Sequence, residues 1–245
     1  MAPRIRSSLL LAAVIAAGGG CDATVDPIVF SPAPGCPSLP APSEHNPWSY
    51  ADEPPDRMIS DFESGTEALM RVARRDGQWV LGTDLTSPSV LAAPQMTCPA
   101  IGQWAGHFVG SGFSGWGANW SAIFRTTTAT YKAVAYDGSA YGGISFWAAV
   151  GEGSLAAFEV PVGLATMDTA WNGSICSSTT ACADHYLTKV ALTRQWQRFD
   201  IRFSDMKQGG WGVPQVEMRR DQMVGFVIWP RQDFDIWIDD VRFEP

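Results

Sequence analysis

Between positions 196 and 203 the chain alternates. Phe199, Ile201 and Phe203 fall on one side, and Arg198, Asp200 and Arg202 on the other. That is the period of a half-buried strand. The stretch 142–150 repeats it, with Ile144, Phe146 and Ala148 set against Ser145, Trp147 and Ala149. The same reading predicts strands over 57–63, 68–73, 78–83, 106–112, 119–125, 155–160, 186–193, 223–229 and 235–243. Turn signals separate them, among them Asp137-Gly138, Gly151-Glu152-Gly153 and Gly209-Gly210. No segment carries a long helical stripe, and no internal repeat is visible. About ten short strands joined by such turns predict an all-β fold, an antiparallel β-sandwich of jelly-roll type.

That domain occupies 57–245. Residues 21–56 hold nine of the seventeen prolines and read as a semi-rigid extended linker. Residues 1–20 read as an export signal: Arg4 and Arg6 precede an apolar run over 9–17, which is too short to span a bilayer. Gly18, Gly19 and Gly20 lead into Cys21, the arrangement of a bacterial lipoprotein box without its usual leucine. Two readings stay open: a lipidated Cys21 as mature N-terminus, or ordinary cleavage nearby with Cys21 a plain thiol. The first gives an exported, membrane-anchored protein of the cell envelope or surface, touching the membrane only through lipid.

Composition narrows the function classes. Of 245 residues 46% are hydrophobic and only 17% charged, which excludes a disordered chain. A net charge of −8 argues against nucleic acid as partner. Five cysteines are odd, but without Cys21 the rest form an even set suited to an oxidising compartment. Cys176 and Cys182 enclose a short polar loop and are expected to pair, which leaves Cys36 with Cys98. Two other pairings satisfy the count equally well.

Two constellations carry candidate chemistry. Asp61 and Glu63 share one face near the first strand, and Asp239 and Asp240 stand in the last. If those strands are neighbours the four carboxylates converge, and oxygen donors without His or Cys select calcium. The competing reading is four solvated strand-end carboxylates. The second constellation is tryptophan: eleven are more than one core of this size needs. Trp116, Trp147, Trp211 and Trp229 are the candidates for outward display, with His185 and Arg231 as polar partners, because sugars need a flat apolar face beside hydrogen-bonding groups; for any single Trp, core packing is the competing reading. Catalysis finds little support: His45 lies in the linker, neither His107 nor His185 stands beside a serine elbow, and no acid cluster of the sandwich-glycosidase kind is evident, which leaves a general acid/base pair of carboxylates distant in sequence as the open route.

The segments ISDFESG, YGGISFWAAV, HYLTKVALTRQWQRFDIRFSDM and VGFVIWPRQDFDIWIDDVRF occur in this order. Together they resemble the galactose-binding-like β-sandwich of carbohydrate-binding modules, family 11 above all, over roughly 58–244. The resemblance implies a structural calcium between first and last strands, best matched by Glu63 and Asp239 and then by Asp61 and Asp240. It also implies a glucan-binding concave face to which Trp116, Trp211 and Trp229 belong. The chain departs from the family in the loop holding Lys207, Gln208 and Trp211, and in the insert WNGSICSSTTACADHY. The leading expectation is a monomeric, non-catalytic exported lipoprotein that binds a glucan-type polysaccharide or oligosaccharide. A structural or adhesion protein of the envelope is the alternative, and a polysaccharide hydrolase or lyase comes third.

Overall fold

The computed structural model describes residues 35–39, 56–87, 89–126, 132–155, 157–171, 173, 175–176 and 182–245. Residues 1–34, with the signal and Cys21, and most of the linker lie outside them.

Eleven strands run through the described residues: β1 Met58–Ser60, β2 Gln78–Thr83, β3 Ser89–Gln95, β4 Ala105–Ser111, β5 Ala118–Ile123, β6 Gly143–Val150, β7 Ala157–Thr166, β8 Tyr186–Thr193, β9 Gln197–Arg202, β10 Met223–Ile228 and β11 Phe234–Glu244. One sheet has the order β3-β4-β11-β6-β9 with β1 added against β11; the other has β2-β5-β10-β7-β8. Paired strands within both sheets are antiparallel. This is the sandwich that the alternation predicted.

The apolar face of each strand enters one core. Ile144, Phe146 and Ala148 of β6, Ile201 of β9 and Phe226 and Ile228 of β10 are buried there together. Trp79 and Trp120 pack with ring centroids 4.5 Å apart, and Phe62 joins them at 5.4 and 5.7 Å. Gly106 makes room: a Cβ there would stand 2.7 Å from both Phe62 and Trp120.

Three predicted segments change. No strand forms over 68–73, where Ala73 and Arg74 both take positive φ and only Ala68 bridges to Gln78. Their left-handed backbone turns the chain so that Arg75 is buried, donating to Tyr136 Oη at 2.9 Å and to the carbonyls of Asp56 and Met58 at 2.6 Å. β1 stops before Phe62, whose φ of 57° breaks the extended run. β3 is an added edge strand, hidden in the sequence because SVLAAPQ does not alternate and contains Pro94. β7 extends beyond the predicted 155–160 through Pro161 and Gly163.

Both expected disulfides form, Cys36–Cys98 and Cys176–Cys182. The first brings residues 36–38 onto the outer face of the β3-β4-β11-β6-β9 sheet, where Ser38 exchanges backbone hydrogen bonds with Arg194 and Trp196. Trp147, Trp196 and Trp237 pack there with Cys98, and Cys36 and Ile101 close over them.

Candidate functional site

β7, β8 and β10 lie side by side, so their outward residues form one surface. Phe226 and Ile228 point into the core, which turns Trp229 outward beside Pro161, whose carbonyl accepts its backbone N–H at 2.8 Å. A groove of about 520 Å³ opens there, lined by Glu159 and Pro161 of β7, Leu187 and Lys189 of β8, Trp229 and Arg231 after β10, and Lys207 and Trp211 from the loop after β9.

Trp211 is the exposed aromatic wall, 51% accessible. Its loop is held by one buried carboxylate. Asp184 accepts backbone N–H groups from Gly209 at 2.7 Å, Gly210 at 2.9 Å, Trp211 at 3.1 Å and Gly212 at 3.0 Å. Gly210 takes φ of +83°, and a Cβ on Gly209 would stand 3.0 Å from the Trp211 ring. The Gln208 side chain ties the loop down further, donating to the Asp184 carbonyl and accepting from the Gln215 amide.

Trp229 is mostly covered, only 6% accessible. Its indole N–H donates to the Trp116 carbonyl at 3.2 Å, and the two rings meet edge to face at 5.8 Å. Arg231 stands 5.6 Å from the Trp229 ring centre, and the His185 ring is 5.9 Å away. Trp229 therefore braces the exposed Trp116, 41% accessible, and orients Arg231. His185 shares a hydrogen bond of 3.0 Å with Thr169 Oγ1. Burial pushes its pKa down to about 4 against the pull of Asp184, so the imidazole is neutral near pH 7.

The structure thus gathers Trp116, Trp211, Trp229, His185 and Arg231 in one region. It separates Trp147 from them. Parity correctly places Trp147 on the outer face of its sheet, but that sheet is the other one, and the segment at Cys36 leaves it 4% accessible. The expected outward surplus of indoles is smaller than foreseen: Trp79, Trp120, Trp147, Trp196, Trp229 and Trp237 are buried, while Trp116, Trp171 and Trp211 are exposed. The alternation showed no sign of Asp184, because its loop lies 25 residues ahead in sequence. The one available hint was Gly209-Gly210-Trp211-Gly212, a run of amides with no local acceptor. His107 belongs to the far sheet, stacked on Trp237 at 4.0 Å and bonded to Asp235 at 2.9 Å.

The four candidate calcium ligands do lie near one another, since β1 pairs with β11. Each carboxylate has at least one oxygen engaged by the protein. Glu63 Oε1 accepts the N–H groups of Gln103 and Trp104 at 2.8 and 3.0 Å, and Asp239 Oδ2 those of Ala100 and Ile101 at 3.0 Å. Asp61 accepts the Glu63 amide, and Asp240 forms a buried pair with Arg242. Burial pushes the Asp239 carboxyl well above the usual range, partly offset by its amide partners, with Asp240 adding to the rise. Among the described residues no group of three or more His, Cys, Asp or Glu is disposed around one metal position. In this arrangement Glu63 Oε1 and Asp239 Oδ2 organise the 100–104 loop, and Asp240 neutralises Arg242.

No protein-family model and no curated protein matches the sequence. Solved structures do share the architecture. A family 11 carbohydrate-binding module of Clostridium thermocellum, in complex with a β-1,3-1,4-mixed-linked tetrasaccharide, superposes with a TM-score of 0.50 at 13% identity, over 77% of this chain and 94% of that one. The family 11 module of a cellulosomal cellulase from the same organism gives 0.50 at 14% identity, over 77% and 93%. At such identity the likeness speaks for the fold: this chain has the β-sandwich fold of these carbohydrate-binding modules.

Proposed function

We propose that this protein binds polysaccharide or oligosaccharide chains without cleaving them, in the groove on β7, β8 and β10. One observation carries the reading. The exposed indole of Trp211 stands on a loop fixed by Asp184, beside a groove whose other wall supplies Arg231 and Lys189. A flat apolar ring next to charged and amide hydrogen-bonding groups suits the two-sided chemistry of a sugar. The fold shared with modules of which one holds a tetrasaccharide supports the same reading.

Affinity electrophoresis through gels containing soluble polysaccharides tests it. Retardation in at least one gel is expected, and Trp211→Ala is expected to remove it while leaving the melting temperature within a degree or two. Unretarded migration in every gel, neutral or acidic, would overturn the proposal.

The proposal extends to location. The domain acts outside the cell, tied to a membrane by lipid on Cys21. The signal-like sequence of 1–20 and the two disulfides support this. No helix among the described residues is long and apolar enough to cross a membrane. Mass spectrometry of the mature protein is expected to find a lipid-modified Cys21 at the N-terminus, and Cys21→Ser is expected to release the protein into the soluble fraction.

A further inference from the structure

We propose that the glycan taken by this groove is acidic, with an anionic substituent held between Lys207 and Arg231 while its ring lies against Trp211. The inference rests on the sugar reading above and narrows it from neutral glucan to charged chain.

The chain as a whole opposes such a ligand, with 25 acidic against 17 basic residues. The groove reverses that balance. Three cations line it, Lys189, Lys207 and Arg231, with two carboxylates, Glu159 and Asp184. Both carboxylates are engaged: Glu159 pairs with Lys189 at 3.3 Å, and Asp184 is buried under four backbone N–H groups. Neither Lys207 nor Arg231 has an ion-pair partner among the described residues. His185 adds no charge near pH 7. Two exposed cations thus face a groove beside an exposed indole, a local positive site on a chain whose net charge is −8.

Both cations are also positioned. The backbone of Lys207 exchanges hydrogen bonds with Leu187 at 2.9 and 3.0 Å, and Arg231 is held against the Trp229 ring. A guanidinium fixed in this way presents its planar fork to a carboxylate or sulfate. A neighbouring groove of about 1090 Å³ shares Lys207 but carries no comparable surplus, because Asp200, Glu217 and Glu244 balance Arg202 and Arg220 there. The smaller groove is therefore the acidic subsite.

Affinity electrophoresis in three gels tests the inference: polygalacturonate for carboxylate, dextran sulfate for sulfate ester, and mixed-linkage β-glucan as the neutral chain. The protein is expected to bind one acidic polymer more tightly than the glucan. Arg231→Gln and Lys207→Gln are each expected to weaken that binding about tenfold, the loss of one charge-assisted contact. Which acidic gel responds names the anion. Retention on the neutral glucan alone overturns the acidic inference and leaves sugar binding standing. Retention on acidic gels that survives Trp211→Ala is plain ion exchange and overturns it too. Migration unretarded in all three gels overturns the acidic inference, and the sugar reading falls with it only when the wider set of neutral gels also fails to retard the protein. Both cations are solvent-exposed, so unchanged melting temperatures are expected to show that the variants fold.

Discussion

Asp184 is the residue on which the proposed site turns, since one carboxylate satisfies four successive amides. Asp184→Ala removes a charged acceptor from a glycine-rich loop. A loss of about 2–4 kcal/mol is expected, together with loss of glycan retention, read by thermal melting and affinity gel. Asp184→Asn keeps one acceptor oxygen and is expected to fall between. Its neighbour His185 has a pH signature. With its folded pKa near 4 against an unfolded 6.5, the unfolded chain takes up a proton first as pH falls. The contribution of His185 to stability is therefore complete above about pH 6.5 and is lost as pH falls toward 4. NMR titration of the imidazole is expected to show a midpoint near 4, and glycan binding is expected to be flat from pH 6 to 8. Of these residues, Trp211 was legible because an aromatic in a glycine-rich turn has no strand to bury it. Trp147 was not. Its outward parity is real, but the segment covering it comes from more than a hundred residues upstream, and alternation carries no information over that distance.

At the level of elements, β1 and β11 were legible as neighbours while the role of their carboxylates was not. Spacing places Glu63 and Asp239 near one another, but only coordinates show both receiving amides from the 100–104 loop. Gly102 belongs to this arrangement: it has φ of +72°, and a Cβ there would stand 2.2 Å from Glu63 Oε1. Gly102→Ala is expected to cost about 1–3 kcal/mol through left-handed strain and the displaced carboxylate. Asp239→Ala orphans the amides of Ala100 and Ile101 and is expected to cost about 2–4 kcal/mol. With these carboxylates already partnered, melting in EDTA is expected to match melting in calcium; a fall in melting temperature on chelation would restore a structural ion. β3 and the length of β7 escaped the sequence for a simpler reason. Proline and small residues blunt the two-residue period, and pairing with β4 or β10 then decides the matter.

Among the described residues the sandwich has a core between the sheets and two smaller buried clusters, one of them an aromatic layer outside the β3-β4-β11-β6-β9 sheet. The aromatic layer depends on the Cys36–Cys98 bond, which closes 62 residues of sequence. A loop of that length is stabilised by about 4 kcal/mol on chain-entropy grounds. Cys36→Ser is expected to lower stability by a comparable amount and to make Trp196 and Trp147 accessible to acrylamide, read as increased fluorescence quenching. The same bond has a mechanical consequence. Tension drawn along the chain from the N-terminal side reaches Cys36 first and passes through a covalent sulfur bridge to Cys98, in the connection between β3 and β4. The three-residue β1 stands outside that load path. A particle pulling on the bound domain would then load the β3–β4 connection through the sulfur bridge and leave the short pairing of β1 with β11 unstressed.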